Sequence, residues 1–217
     1  MDKTLDDSAL EYKAVEWIVL SKAPLPGLVK TRLISTLGEQ GACDLYRQLL
    51  NRLENTLKNL IADNIGQVAL WVAGDAEHDA FHSWLGFATF YQQPSLADLG
   101  DRMAMAVQSS LSRDCIPILL GVDVPDLNET YLMNCLQQLE NHELVISPAE
   151  DGGYGLLGMK QFYSELFTKK AWGTNKVFAR TKSDIKNLKL NVSYLPQVWD
   201  VDEAEDVKRF KKLMNGL

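Results

Sequence analysis

"WIVLSKAPLPGLVKTRL", residues 17–33, decides the fold. Its first part is an unbroken apolar run, the pattern of a strand covered on both faces, as parallel strands under helices are. The rest carries Pro24, Pro26 and Gly27 and then leads into a helical pattern, so the chain reads strand, loop, helix. Lys22, Lys30 and Arg32 share that loop with no acid among them, although the whole chain has a formal charge of −7. A basic loop in an acidic chain is either a solvated turn or a device for holding phosphate.

The same alternation continues downstream. Apolar runs predict strands over 17–21, 68–73, 89–92, 116–122 and 144–147. Ala42, Leu45, Leu49, Leu53, Leu57 and Leu60 recur three and four residues apart, which predicts an amphipathic helix over 39–61. Further helices are expected over 101–111, 129–139 and 203–214, with Asn128 and Asp202 as candidate N-caps. Strands separated by helices imply an α/β fold with a mainly parallel sheet flanked by helices. Right-handed crossovers then gather the loops at the carboxyl ends of the strands on one rim, where ligands bind. No repeat or linker divides the chain, so one domain is expected over 1–217, with 1–14 as a flexible N-terminal extension.

Composition narrows the partners. A pI near 5.0 argues against a protein that coats nucleic acid or anionic lipid. The acidic N-terminus lacks the order of a signal peptide, and no apolar run approaches the ~20 residues needed to cross a bilayer, so a cytoplasmic protein without membrane partners is expected. Cys43, Cys115 and Cys135 are widely spaced and read as small core residues. His78 and His82 have the i, i+4 spacing of a helical metal pair, but no Glu follows His78, and a solvated helix face is the better reading.

Four rim stretches carry chemistry. The opening loop offers Lys22 and Lys30 as point charges, Arg32 as a planar fork for phosphate oxygens, and Gly27 as a place for close backbone approach. It is neither a Walker loop nor a GxGxxG turn. "ILLGVDVPDL", residues 118–127, ends a strand in Asp123 and Asp126, and a carboxylate there suits a hard cation. Asp126 equally suits a turn cap. "SPAEDGGYGLLGM", residues 147–159, follows a strand with Glu150, Asp151 and a Gly-Gly pair, which also fits a hairpin. "VWDVDEAEDVKRF", residues 198–210, sets Asp200 and Asp202 before the last helix. Cations for oxygens and carboxylates for a bridging metal are what a nucleotide phosphate chain requires. No Ser-His or Cys-His arrangement is evident, so direct displacement is expected rather than a covalent intermediate.

Six stretches in order, "KAPLPGLVKTRL", "LGDRM", "GVDVPDL", "EDGGYGLLGM", "WGT" and "DVDEAEDVKRF", resemble a family. It comprises the small bacterial GT-A-fold proteins provisionally named nucleotide-diphospho-sugar transferases or glycosyltransferases, relatives of phospholactate and molybdenum-cofactor guanylyltransferases. The resemblance covers nearly the whole chain. It implies a Rossmann-like nucleotide-diphospho-sugar transferase (GT-A) fold, with Lys22, Gly27, Lys30 and Arg32 at the phosphates and Gly100, Asp101 and Arg102 near the base. It also implies Mg2+ or Mn2+ held by Asp123 and by Asp202 or, second, Asp200. Asp151, Gly152, Gly153, Tyr154 and Thr174 would border the acceptor. Catalysis would rest on Asp123, Lys30 and Arg32. Two departures stand out: the acid after Asp123 is three positions on, behind Pro125, and the first loop lacks the Gly-Gly that opens many nucleotidyltransferases. The expected activity is a metal-dependent nucleotidyltransferase or glycosyltransferase, taking a nucleoside triphosphate or nucleotide-sugar and a small-molecule acceptor. The alternative is a non-catalytic domain that binds a nucleotide or a protein.

Overall fold

The first strand, β1 (Val15–Lys22), is buried along almost its whole length, as its unbroken apolar run requires. In the computed structural model, which describes residues 15–74, 81, 84, 86–95, 97–168 and 170–216, it is an interior strand, third in a seven-stranded sheet. The proposed extension 1–14 and the pair His78 and His82 lie outside the described residues.

In chain order the described elements are β1, α1 (Ile34–Ala62), β2 (Gln67–Ala73), β3 (Thr89–Gln92), α2 (Leu99–Leu111), β4 (Ile116–Leu120) and α3 (Glu129–Asn141). β5 (Leu144–Pro148), β6 (Tyr154–Met159), α4 (Val177–Leu188), β7 (Val192–Tyr194) and α5 (Ala204–Met214) follow. The sheet order is β3-β2-β1-β4-β6-β5-β7. Only β6 pairs antiparallel with its neighbours, so the sheet is mainly parallel.

Alternate residues of the strands supply two cores. Trp17, Val19, Leu70, Ile118 and Val145 meet Leu53 and Leu57 of α1 and Leu132 and Leu136 of α3 on one face. Ile18, Trp71, Leu119, Ile146 and Leu157 meet Met103 and Val107 of α2 and Ile185 of α4 on the other. A smaller cluster joins Leu45 and Leu49 of α1 to Trp199, Val201 and Phe210, and so anchors the C-terminal segment to α1.

Several expectations are corrected. Helix α1 starts earlier than 39, through one turn that breaks at Gly38 (φ 71°, ψ 167°), a conformation that glycine adopts without steric cost. β4 ends at Leu120 rather than 122, so Asp123 stands in the following turn. Glu203, not Asp202, is the N-cap of α5, in a capping box with Asp206. Cys115, read as core, is partly exposed, whereas Cys43 and Cys135 are buried.

Three elements were absent from the sequence reading. β6 is masked by Gly155 and Gly158, which are there for packing: a Cβ on Gly155 would come within 2.7 Å of Val198, and one on Gly158 within 3.1 Å of Leu139. Helix α4 buries Val177, Thr181, Asp184 and Ile185, so half of its inward stripe is polar and the apolar period vanishes. Asp184 is buried because Lys170 pairs with it at 2.8 Å. β7 has only three residues, too few for a pattern.

Candidate active site

The loop after β1 is shaped by its prolines and glycine. Leu28 N–H donates to the Leu25 carbonyl at 3.1 Å, closing a turn with Pro26 and Gly27 at its centre, and Gly27 has φ +80°. That is a type II turn, with proline and glycine where its dihedrals demand them. The glycine therefore serves the turn, and it does not border the cavity beside it. Lys30 follows in the left-handed conformation (φ 47°, ψ 42°), an uncommon state for a residue with a Cβ. Its ammonium explains how that state persists: Nζ donates to the Val201 carbonyl at 2.7 Å and to Asp202 Oδ1 at 2.9 Å, and lies 3.0 Å from Asp123 Oδ2. An ammonium has three donors, and these three acceptors use them all. Burial alone would lower the Lys30 pKa, but Asp123 and Asp202 outweigh it and hold it above the ordinary value.

The C-terminal segment is brought to this point by backbone bonds. Val198 N–H donates to the Pro148 carbonyl at 2.9 Å and Val201 N–H to the Asp123 carbonyl at 3.0 Å. Asp200 and Asp202 thereby reach the turn that bears Asp123. Arg32 Nη1 meets Asp202 Oδ2 at 3.1 Å, with most of its side chain exposed. Asp126 is elsewhere employed: its Oδ1 accepts from the Trp199 indole at 3.1 Å, and it borders none of the cavities described below.

Asp123 borders two cavities that are also lined by other charged side chains. The first, about 340 Å³, is lined by Lys22, Lys30, Arg32, Arg102, Asp123 and Asp202, together with Ser21, Tyr46, Gln93 and Leu99. The second, about 270 Å³, is lined by Asp123, Asp151, Gly153, Tyr154, Trp172, Thr174 and Asp200, with Leu99 and Met103. Ser21, Tyr46, Gln93 and Leu99 went unread in the sequence. Tyr46 lies among the helical leucines and passes for core, yet its hydroxyl reaches Ser21 Oγ at 2.8 Å at the cavity wall. Gln93 donates to the Trp71 carbonyl at 2.7 Å and accepts from Arg102 at 3.3 Å, so it fixes that guanidinium.

Gly100, Asp101 and Gly152 do not border either cavity. A Cβ on Gly100 would lie 2.1 Å from the Phe167 carbonyl and 2.6 Å from Trp172 Nε1, so this glycine admits the loop that carries Trp172. Gly152 combines φ +87° with a would-be Cβ 2.3 Å from the Asn175 carbonyl and closes the β5–β6 hairpin. Asp98 caps α2 by accepting from Asp101 N–H at 2.9 Å.

The carboxylates suit a hard cation. Burial pushes the Asp123 carboxyl above the usual range although Lys30 pulls it down, and its buried Oδ1 has no hydrogen-bond partner. Among the described residues no three His, Cys, Asp or Glu side chains stand together as a ready ligand set. A pair of carboxylates completed by phosphate oxygens and water is the arrangement magnesium accepts.

Asp200 shows the strain of this clustering. Burial, then the charges of Asp151 and Asp202, push its pKa up to about 6 from 3.8. The folded protein thus holds a proton that the unfolded chain releases, and the stability this gives is full below pH ~4 and lost as pH rises through about 6. Asp200→Asn should therefore stabilise the metal-free protein by about 1–2 kcal/mol at pH 7, after discount for its partial exposure, and by nothing at pH 4. Urea unfolding at the two pH values checks this, and an equal gain at both would refute the charge argument.

Comparison with known proteins fits this architecture. The family described as "Uncharacterized protein conserved in bacteria (DUF2064)" matches residues 56–174. A nucleotide-diphospho-sugar transferase, so named provisionally, from Desulfovibrio desulfuricans G20 superposes with a TM-score of 0.85 at 30% identity, over 93% of this chain and 87% of that one. The 4-diphosphocytidyl-2C-methyl-D-erythritol synthase of Anaerococcus prevotii DSM 20548 shares the fold at TM-score 0.63 and 10% identity, over 97% and 100% of the two chains. CMP:2-keto-3-deoxy-manno-octonic acid synthetase, in a complex with CTP, does so at 0.56 and 10%, over 93% and 99%. No protein of curated function matches the chain in sequence. No described helix is long and apolar enough to cross a membrane. On the family match and the 30% identical relative together, the chain belongs to the DUF2064 family of bacterial proteins, built on the nucleotide-diphospho-sugar transferase fold.

Proposed function

We propose that the chain is a metal-dependent transferase that binds a nucleoside triphosphate in the basic cavity and transfers its nucleotidyl group to a small molecule in the adjoining one. The observation that carries this reading is the position of Asp123 on the wall shared by a cavity with four cations and a cavity with none among its described residues. Lys22, Arg32 and Arg102 would hold phosphate oxygens, and Lys30 would position Asp123 and Asp202. Those two carboxylates would hold Mg2+ or Mn2+, which when bound neutralises charge on the leaving phosphate oxygens. The remaining work is orientation of donor and acceptor for in-line displacement. The fold is shared with a protein named a 4-diphosphocytidyl-2C-methyl-D-erythritol synthase and with a CMP:2-keto-3-deoxy-manno-octonic acid synthetase complexed with CTP, which supports the nucleotidyl reading. The relative named a nucleotide-diphospho-sugar transferase favours a second one, transfer of a sugar from a nucleotide-sugar.

Incubation with the four nucleoside triphosphates or with nucleotide-sugars, in Mg2+, separates the cases. Pyrophosphate release supports nucleotidyl transfer, and nucleoside diphosphate release supports glycosyl transfer. Nucleotide binding with neither product would leave a non-catalytic binding domain. Arg32→Ala should weaken triphosphate binding by about 1.5–3 kcal/mol, tenfold or more, and monophosphate binding much less. Equal affinities across mono-, di- and triphosphates for parent and variant would reduce the loop to a basic turn.

A further inference from the structure

The second cavity has a charge character that the transferase reading does not use. Asp151 and Asp200 line it beside Asp123, and among its described lining residues there is no Lys, Arg or His. The Lys30 ammonium, which contacts Asp123, has its donors committed to Asp123, Asp202 and the Val201 carbonyl. Helices α2 and α4 begin at this cavity, and several of the N–H groups at their starts, which can make an anion site, already have acceptors. At α2, Asp101 N–H is taken by the Asp98 side chain and Arg102 N–H by the Asp98 carbonyl. At α4, Val177 N–H is taken by the Thr174 carbonyl and Phe178 N–H by the Gly152 carbonyl. The rest of the wall is Leu99, Met103, Tyr154 and Trp172, the last two edge to face with centroids 6.4 Å apart.

Such a cavity repels phosphate and carboxylate and favours hydrogen-bond donors beside an apolar face. We infer that the acceptor is a hydroxyl-bearing molecule without phosphate or carboxylate groups, a neutral or amino polyol, whose hydroxyls donate to Asp151 and Asp200 and whose carbon face lies on Trp172. The inference rests on the transferase reading for the word acceptor, but the selectivity of the cavity stands on its lining alone. Polyol faces pack on aromatic rings because their C–H edges are apolar while their hydroxyls project sideways. Each added anionic group instead meets like charges in a partly desolvated site.

The test uses matched pairs that differ by one phosphate: glycerol and glycerol 3-phosphate, ribose and ribose 5-phosphate, glucosamine and glucosamine 6-phosphate. Each is titrated into the full chain while the indole N–H resonance of Trp172, assigned with Trp172→Phe, is followed. The expected result is movement of that resonance by at least one unphosphorylated member, about tenfold or more tighter than by its phosphorylated partner. In the Asp151→Asn, Asp200→Asn double variant the difference should shrink several-fold. A phosphorylated member that binds as tightly as its partner would overturn the inference, as would undiminished discrimination in the double variant or no response to any pair. Nucleotide titration of the same sample reads the other cavity separately, so failure to bind nucleotide counts against the transferase reading and leaves the Trp172 result intact.

Discussion

Asp123→Asn should cut nucleotide affinity in Mg2+ by on the order of a hundredfold, about 3 kcal/mol, and leave affinity in a chelator nearly unchanged. The split follows from what each group touches. The carboxylate is the shared wall of the two cavities and has one buried oxygen without a partner, so under the proposed function its loss removes a metal ligand. Lys22, Arg32 and Arg102 remain for the phosphates. The fold should not suffer at neutral pH. Burial raises the Asp123 pKa more than Lys30 lowers it, so the ionised carboxylate is a net cost to the native state that grows as pH rises. Asn keeps the shape and removes the charge. Calorimetric titration with nucleotide in Mg2+ and in chelator, beside urea unfolding at pH 7, gives both halves. Equal losses of affinity in the two buffers would make Asp123 a structural residue.

Strands β1, β2, β4 and β5 and the basic loop were legible because burial on both faces writes apolar runs, and because cations on a proline-glycine loop stand out in an acidic chain. Asp123, Asp200 and Asp202 were legible for a similar reason: acids that end apolar runs have no core role to hide behind. What stayed hidden was set by tertiary contact. The glycines of β6 exist to admit Val198 and Leu139, and the polar inward stripe of α4 exists because Asp184 has Lys170 as its partner. Nothing local in either segment reveals the neighbour. Gly100 misled in the opposite direction, since a glycine at a helix start near a ligand rim suggests backbone approach to ligand, while the space it leaves is filled by the Phe167 carbonyl and Trp172. The partners of Lys30 lay farthest from view. One lies 93 residues away at Asp123 and the other 172 away at Asp202, and only the path of the C-terminal segment beside β5 joins them.

That junction gives Lys30→Met a distinctive signature. Its side chain is 4% exposed, and Asp123 and Asp202, at 36% and 33%, are left facing each other when the ammonium goes. Removing one member of a fully buried pair costs about 3–5 kcal/mol; water reaches these two acids, so about 2–3 kcal/mol is expected here. The penalty should shrink as pH falls, because burial raises the Asp123 pKa and, with the Lys30 cation gone, nothing pulls it back down, so its carboxyl takes up a proton more readily in the folded state than in the unfolded one. Lys30→Gly should be less damaging than Lys30→Met by about 1 kcal/mol, since glycine relieves the left-handed backbone that the three Nζ contacts otherwise hold in place. The metal provides the sharpest discrimination. On the proposed reading a divalent cation would compete with Lys30 for Asp123 and Asp202 in the parent protein, whereas in Lys30→Met it would have the pair to itself. Added Mg2+ should thus raise the thermal midpoint of the variant by more than that of the parent, even as the variant loses transferase turnover. If Mg2+ moves both midpoints equally, Asp123 and Asp202 form a structural ion pair with Lys30 and the metal must be sought at other residues.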